Sequence, residues 1–232
     1  MSIAQSQTTL DKIRTRGYWR VVIRPTCFDV QHIPEYSRLF SIVEGNSVQI
    51  RGWRYPYVDY RSEPVRGADW VGQEADWDYF VEVWRLYQSG QFIHFFAIAG
   101  DWRDQSSNWP AEETWQPGRH LLYIDTIYEL LEIFEFASRL ALSPAGSSSM
   151  RLEIRLESLE GRQLIETDIR VPISGIYTAQ IPTWIFVRDC SQIDLISSPR
   201  ELAAQAARDL FAQFGFDVSL EMLGWHQARI GR

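Results

Sequence analysis

The chain has 232 residues, 45% hydrophobic and 23% charged, a globular balance that excludes a disordered chain and leaves room for one large domain or two small ones. Its formal charge of −7 argues against strong non-specific nucleic-acid binding, which needs a basic surface. No run of about eighteen apolar residues occurs, so no membrane helix is expected, and two isolated cysteines, Cys27 and Cys190, with no apolar leader in "MSIAQSQTTLDKIRTRG" point to a reducing, cytoplasmic setting.

In chain order, residues 1–9 are polar and expected to be loose. "YWRVVIRP" (Tyr18–Pro25) reads as a strand stopped by its proline. "IPEYSRLFSIVEGN" reads as a short helix from near Pro34, ended at Gly45-Asn46. "SVQIRGW" (Ser47–Trp53) reads as a second strand, with Arg51 and Trp53 on one face and Trp53 as a core anchor worth roughly 3–5 kcal/mol on truncation. The following "RYPYVDYRSEPVRGADWVGQEADW" mixes Pro, Gly, Asp and aromatics and reads as an ordered loop.

Tyr79–Ala99, "YFVEVWRLYQSGQFIHFFAIA", reads as a hairpin about Ser89-Gly90. A two-residue loop there sets Trp84 opposite Phe95 and Arg85 opposite His94. Both faces are largely apolar, so the hairpin belongs in the middle of a sheet covered on both sides. Gly100–Gly118 reads as a long loop and "HLLYI" as a short strand. "DTIYELLEIFEFASRLAL" is a helix with a Thr126/Glu129 capping box, an apolar stripe of Ile127, Leu130, Leu131, Phe134, Ala137 and Leu140, and Glu129, Glu132 and Glu135 on its polar side.

"SPAGSSS" (Ser143–Ser149) is the best candidate for a boundary within what otherwise reads as one domain over 1–232. "MRLEIRLESLEGRQLIETDIRV" alternates as a peripheral hairpin, with a turn at Gly161-Arg162 placing Arg155 opposite Asp168. "PTWIFVRDC" is a further strand. "SSPRELAAQAARDLFAQFG" is a helix with Ser198 as cap, Pro199 at its first position and Gly215 beyond its end. The expected class is α+β, a mostly antiparallel sheet with two amphipathic helices packed on it.

Phosphate-loop, dinucleotide, nucleophile-elbow and zincin motifs are absent, and His32, His94, His120 and His226 have no paired ligand spacing. No cofactor and no metal site are therefore expected. Cys27 is expected to be a small buried side chain. Two groups merit weighing. Arg85 and His94 could hold an anion and move a proton in a phosphate-directed hydrolase, although an amphipathic arginine over aromatics with a satisfied histidine is the preferred reading. "IRGWRYPYVDYR" interleaves Arg51, Arg54 and Arg61 with Trp53, Tyr55, Tyr57 and Tyr60; the preferred reading is a loop pinned to the core by its own aromatics, ahead of protein contact and then of phosphate contact with base stacking.

"RGYWRVVIRP", "VQIRGWRYPYV", "WRLYQSGQFIHF" and "EIFEFASRLA" together resemble an uncharacterised bacterial family found alone or beside a Schlafen-related, Alba-type DNA-binding domain. The resemblance covers most of the chain, assigns no chemistry to these motifs, and implies an accessory or sensing role. The expectation is a non-catalytic binding protein with a protein partner.

Overall fold

The most apolar hairpin of the chain occupies the middle of the main sheet. The structure, a computed structural model, describes residues 8–27, 30–105, 115–166 and 173–229. Its elements begin with α1 (Thr9–Ile13), β1 (Tyr18–Pro25), α2 (Leu39–Asn46), β2 (Val65–Arg66), β3 (Trp70–Trp77), β4 (Phe80–Tyr87) and β5 (Phe92–Ala97). They continue with β6 (His120–Leu122), α3 (Tyr123–Leu142), β7 (Ser149–Glu157), β8 (Gln163–Ile165), β9 (Tyr177–Thr178), β10 (Thr183–Ser191), α4 (Gln192–Ser197), α5 (Pro199–Ala212) and α6 (Leu220–Gln227). The protein is α+β, with a seven-stranded antiparallel sheet in the order β10-β7-β1-β5-β4-β3-β2 and a small sheet β6-β8-β9.

Both faces of the β4–β5 hairpin are covered, as its two-sided apolarity requires. One face carries Trp84, Leu86, Phe92 and Phe96 into the large core beneath α3. The other carries Val81, Val83 and Ala97 against Ile13 of α1 and Trp102 of the 3-10 segment Ala99–Gln105. On α3, fourteen of twenty residues are buried, so this helix is enclosed on more than one side. The expected stripe from Ile127 to Leu140 is buried in full, each large side chain contributing about 1.5–3 kcal/mol. On α5, Leu202, Ala203, Ala206 and Leu210 are buried as the period predicts, with Pro199 in its first turn.

Several expectations are corrected. The hairpin turn has three residues, Gln88-Ser89-Gly90, with Gly90 at φ +79° and Tyr87 N–H donating to Gln91 O at 2.9 Å. This glycine-bulged turn moves the register by one, so Trp84 faces His94 and Arg85 faces Ile93. Ser47–Trp53 forms no strand; Val48 and Tyr55 make an isolated bridge because the chain reverses through Gly52 at φ +93°. Trp70–Trp77, read as loop, is a strand. Its polar Gln73 hid it, and that amide is buried because it binds the backbone of Asp59 and Ser62.

β7 is not half of a peripheral hairpin. It lies between β1 and β10, with Arg155 opposite Arg20 and Ile185. Gln163–Ile165 leaves for the small sheet, and Asp168 lies outside the described residues. Helix α3 begins three residues before the expected cap: Thr126 Oγ1 donates to Leu122 O at 2.7 Å, and Glu166 accepts from Ile124 N–H at 2.9 Å. Cys27 is exposed, not buried; Cys190 is buried. No helix among the described residues is long and apolar enough to cross a membrane.

Candidate functional site

Asp125, Glu129 and Glu132 recur on α3 at the i, i+4, i+7 spacing that places side chains on one face. That face looks across to the ends of β4 and β5 and to the reversed segment 51–55, and between them lies a cavity of about 210 Å³. Glu129 and Glu132, expected on the polar side of the helix, are 8% and 0% exposed. The sequence signal was present: Leu130, Leu131, Ile133, Phe134, Phe136 and Ala137 are too many apolar residues for a helix buried on one stripe.

Arg51 makes a bidentate pair with Glu132, Nε to Oε1 at 3.2 Å and Nη2 to Oε2 at 2.7 Å. Burial works against the Arg51 charge, but Glu132, with Glu129 and Asp125 beyond it, more than offsets this and raises its pKa. Burial raises the Glu132 pKa, and Arg51 pulls it back. Burial also pushes Glu129 up to about 8, with Arg51 opposing and Asp125 and Glu132 adding to the rise. Glu129 is therefore largely protonated at neutral pH. Trp19 Nε1–H leans toward it without closing a hydrogen bond.

Tyr55 stands at the inner end of the cavity, 5% exposed, its ring edge-on to His94 at 5.1 Å and to Phe136 at 6.0 Å. Its hydroxyl is buried and has no hydrogen-bond partner. Burial, then Glu82, Glu132 and Glu129, hold its pKa well above the usual phenol value. Glu82 accepts from Tyr57 N–H at 2.8 Å and sits 3.5 Å from Nε2 of the fully buried His94, neither of whose ring nitrogens is hydrogen-bonded. Trp53, Tyr79, Phe80 and Phe96 supply aromatic wall, and Arg54, Arg103 and Asp125 stand at the partly exposed mouth.

The residues singled out from sequence are thus redistributed. Arg51 and Tyr55 are inside the cavity and Arg54 is at its mouth, stacked over Tyr60 at 5.0 Å. Tyr57 is held to the sheet by Trp84 Nε1–H, which donates to its carbonyl at 2.7 Å. Arg61 is exposed. His94 adjoins the site through Glu82 and Tyr55, whereas Arg85 lies on the opposite face, stacked over Trp70 at 4.2 Å. The one-residue register change separates that pair. Among the described residues no group of three His, Cys, Asp or Glu side chains is arranged to hold a metal ion.

Trp53 is 43% exposed and covers the Arg51 guanidinium at 5.0 Å, which corrects its expected role as a core anchor. Trp53→Ala is expected to destabilise by about 0.5–1 kcal/mol, the scale of a partly exposed cation–π contact. Urea denaturation checks this, and a loss above about 2 kcal/mol would return Trp53 to the core.

Compared with known proteins, the chain matches no family model, no curated protein and no solved structure.

Proposed function

We propose that the protein is a binding protein without catalytic chemistry of its own, and that its ligand is a small molecule taken into the cavity between α3 and the β4–β5 hairpin. The observation that carries this reading is the Tyr55 hydroxyl, buried at the cavity's inner end with no partner. A buried polar group without a partner costs about 1–3 kcal/mol, and a ligand that meets it recovers that loss. An enclosed apolar recess with a few convergent polar groups is the usual form of a small-molecule site. The segment Arg51–Arg61 offers less to a protein or nucleic acid than its composition promises. Arg51 is spent on Glu132, and Tyr55 is buried. The phosphate-directed hydrolase reading loses support because Arg85 and His94 occupy opposite faces. A bacterial accessory or sensing role is compatible with a ligand-holding module.

The test is a thermal-shift screen of the purified protein against small cationic, anionic and neutral compounds, repeated with Ala99→Phe, which intrudes on the cavity wall. A ligand at one hundred times its Kd stabilises by about 2.7 kcal/mol. At least one class of compound is expected to raise the melting temperature of the wild type and to lose that effect in the variant. If no compound of any charge does so, or if Ala99→Phe responds unchanged, the cavity is not a binding site.

A further inference from the structure

The cavity combines an apolar body with an acidic inner end, and the sign of that end discriminates among ligands. Four carboxyl groups line the cavity, Glu82, Glu129 and Glu132 within it and Asp125 at its mouth, against three arginines, Arg51, Arg54 and Arg103. Arg51 is committed to Glu132 through two hydrogen bonds. Arg54 and Arg103 lie at the mouth, stacked over Tyr60 and Trp115 at 5.0 and 4.6 Å. At the inner end, the Tyr55 hydroxyl is acted on by three carboxyl groups that outweigh Arg51. An anion seated there would meet the Glu82 carboxylate. A neutral molecule would leave Glu129 as the neutral acid and bring no charge to offset the other carboxylates.

Resting on the binding reading above, we infer that the cavity takes a small organic cation, a primary ammonium on a short apolar or aromatic body, with Glu129 as its counter-ion and Tyr55 Oη as a second acceptor. The ammonium carries three N–H donors and no acceptor, which matches an inner end rich in acceptor oxygens. Trp53, Tyr79 and Phe80 offer aromatic surface to the body and, by their π faces, to the cation. At about 210 Å³ the space is below the roughly 300–1,000 Å³ of sites for drug-sized ligands, so the body is small.

Binding is then an exchange of one cation for one proton. Before binding, burial keeps Glu129 as the neutral acid. The ligand enters as R–NH3+, the Glu129 O–H bond breaks, the proton passes to buffer, and an ammonium–carboxylate pair remains. The net charge in the cavity does not change. The charged and titratable groups that line the cavity with Glu129 are Asp125 and Glu132 on α3, Arg51, Arg54 and Tyr55 from segment 51–55, Tyr79 and Glu82 from the hairpin, with His94 against Glu82, and Arg103 from the 3-10 segment. Affinity therefore rises by up to tenfold per pH unit below the Glu129 pKa of about 8 and levels off above it.

Isothermal titration with benzylamine and phenethylamine, beside benzyl alcohol and benzoate, tests this on the full chain. Running each at pH 6.5, 7.5 and 8.5 in two buffers of different ionisation enthalpy counts the protons. The expected result is that the amines bind and the alcohol and benzoate do not, with close to one proton released at pH 6.5 and few at pH 8.5. Glu129→Gln, which keeps the shape and hydrogen-bonding capacity of the neutral acid, should fold normally, weaken amine binding at least tenfold and abolish proton release. Tyr55→Phe should weaken binding several-fold while retaining proton release. Amine binding that is unchanged in Glu129→Gln, or that releases no proton at pH 6.5, overturns the inference. So does failure of both amines to bind at millimolar concentration. Benzoate or benzyl alcohol held in the cavity would overturn the choice of cation and leave the binding reading standing.

Discussion

Arg162→Ala is expected to destabilise the protein by about 3–5 kcal/mol, the cost of leaving a buried charge without its partner. Arg162 is 1% exposed and Asp101 is 1% exposed. The guanidinium binds both carboxylate oxygens, Nη1 to Oδ1 at 2.8 Å and Nη2 to Oδ2 at 2.5 Å. Its remaining donors reach Ser158 O at 2.6 Å and His120 O at 3.0 Å. Asp101 in turn accepts from Gly17 N–H and Gly118 N–H, each at 3.0 Å. One ion pair thus ties the start of β1, the 3-10 segment, the approach to β6 and the β7–β8 connection. Gly17 is part of the knot, since a Cβ there would lie 2.2 Å from Arg162 Nη2.

Removing the guanidinium leaves the buried Asp101 carboxylate without its counter-charge, with only two backbone N–H donors, and takes a donor from two carbonyls. For a domain whose total stability is roughly 5–15 kcal/mol, that is a large fraction. Urea denaturation measures it, and a loss below about 1 kcal/mol would show the pair to be dispensable. The double variant Asp101→Ala/Arg162→Ala should lose less than the sum of the single losses, because neither charge is then stranded.

The same residue illustrates what could and could not be read from the chain. Gly161-Arg162 was expected at an exposed hairpin turn because "MRLEIRLESLEGRQLIETDIRV" alternates cleanly and has a glycine at its centre. Alternation specifies a strand with one wet face; it does not name the neighbour. The partners of β7 are β1, about 130 residues earlier in the chain, and β10, and no local pattern encodes either. The β4–β5 hairpin was easier, since apolarity on both faces dictates a covered, central strand pair. Its register was missed by one residue because Ser89-Gly90 fits a two-residue turn as well as the end of a three-residue one. That one step moved His94 beside Glu82 and away from Arg85.

The cavity was the least legible feature. Arg51 and Tyr55 were weighed for surface contact as well as for a loop pinned to the core by its aromatics, and both point inward because the chain reverses at Gly52. Glu129 and Glu132 looked like the solvated side of an amphipathic helix. Whether a glutamate on a helix meets water depends on what crosses over it, here segment 51–55, whose strand-like composition gave no sign of that path.

Glu129→Gln is expected to stabilise the protein at alkaline pH by an amount that vanishes in acid. Glu129 titrates near 8 in the folded chain, chiefly through burial, against about 4.5 when the group is free. Between those values the folded protein holds a proton that the unfolded chain has released. Stability therefore falls as pH rises. The contribution is fully present below about pH 4.5 and is lost as pH climbs through about 8. At about 1.4 kcal/mol per pH unit the full loss is on the order of 5 kcal/mol. Glutamine copies the protonated acid and cannot ionise, so it escapes this loss. Wild type and variant should have similar stability at pH 5, and the variant should lead by several kcal/mol at pH 8.5. Urea midpoints measured across that range decide the matter, and a difference independent of pH would mean that Glu129 is ionised in the folded protein throughout. The proton that sets this profile is the one the inferred ammonium displaces, so the variant that gains stability should be the one that loses its ligand.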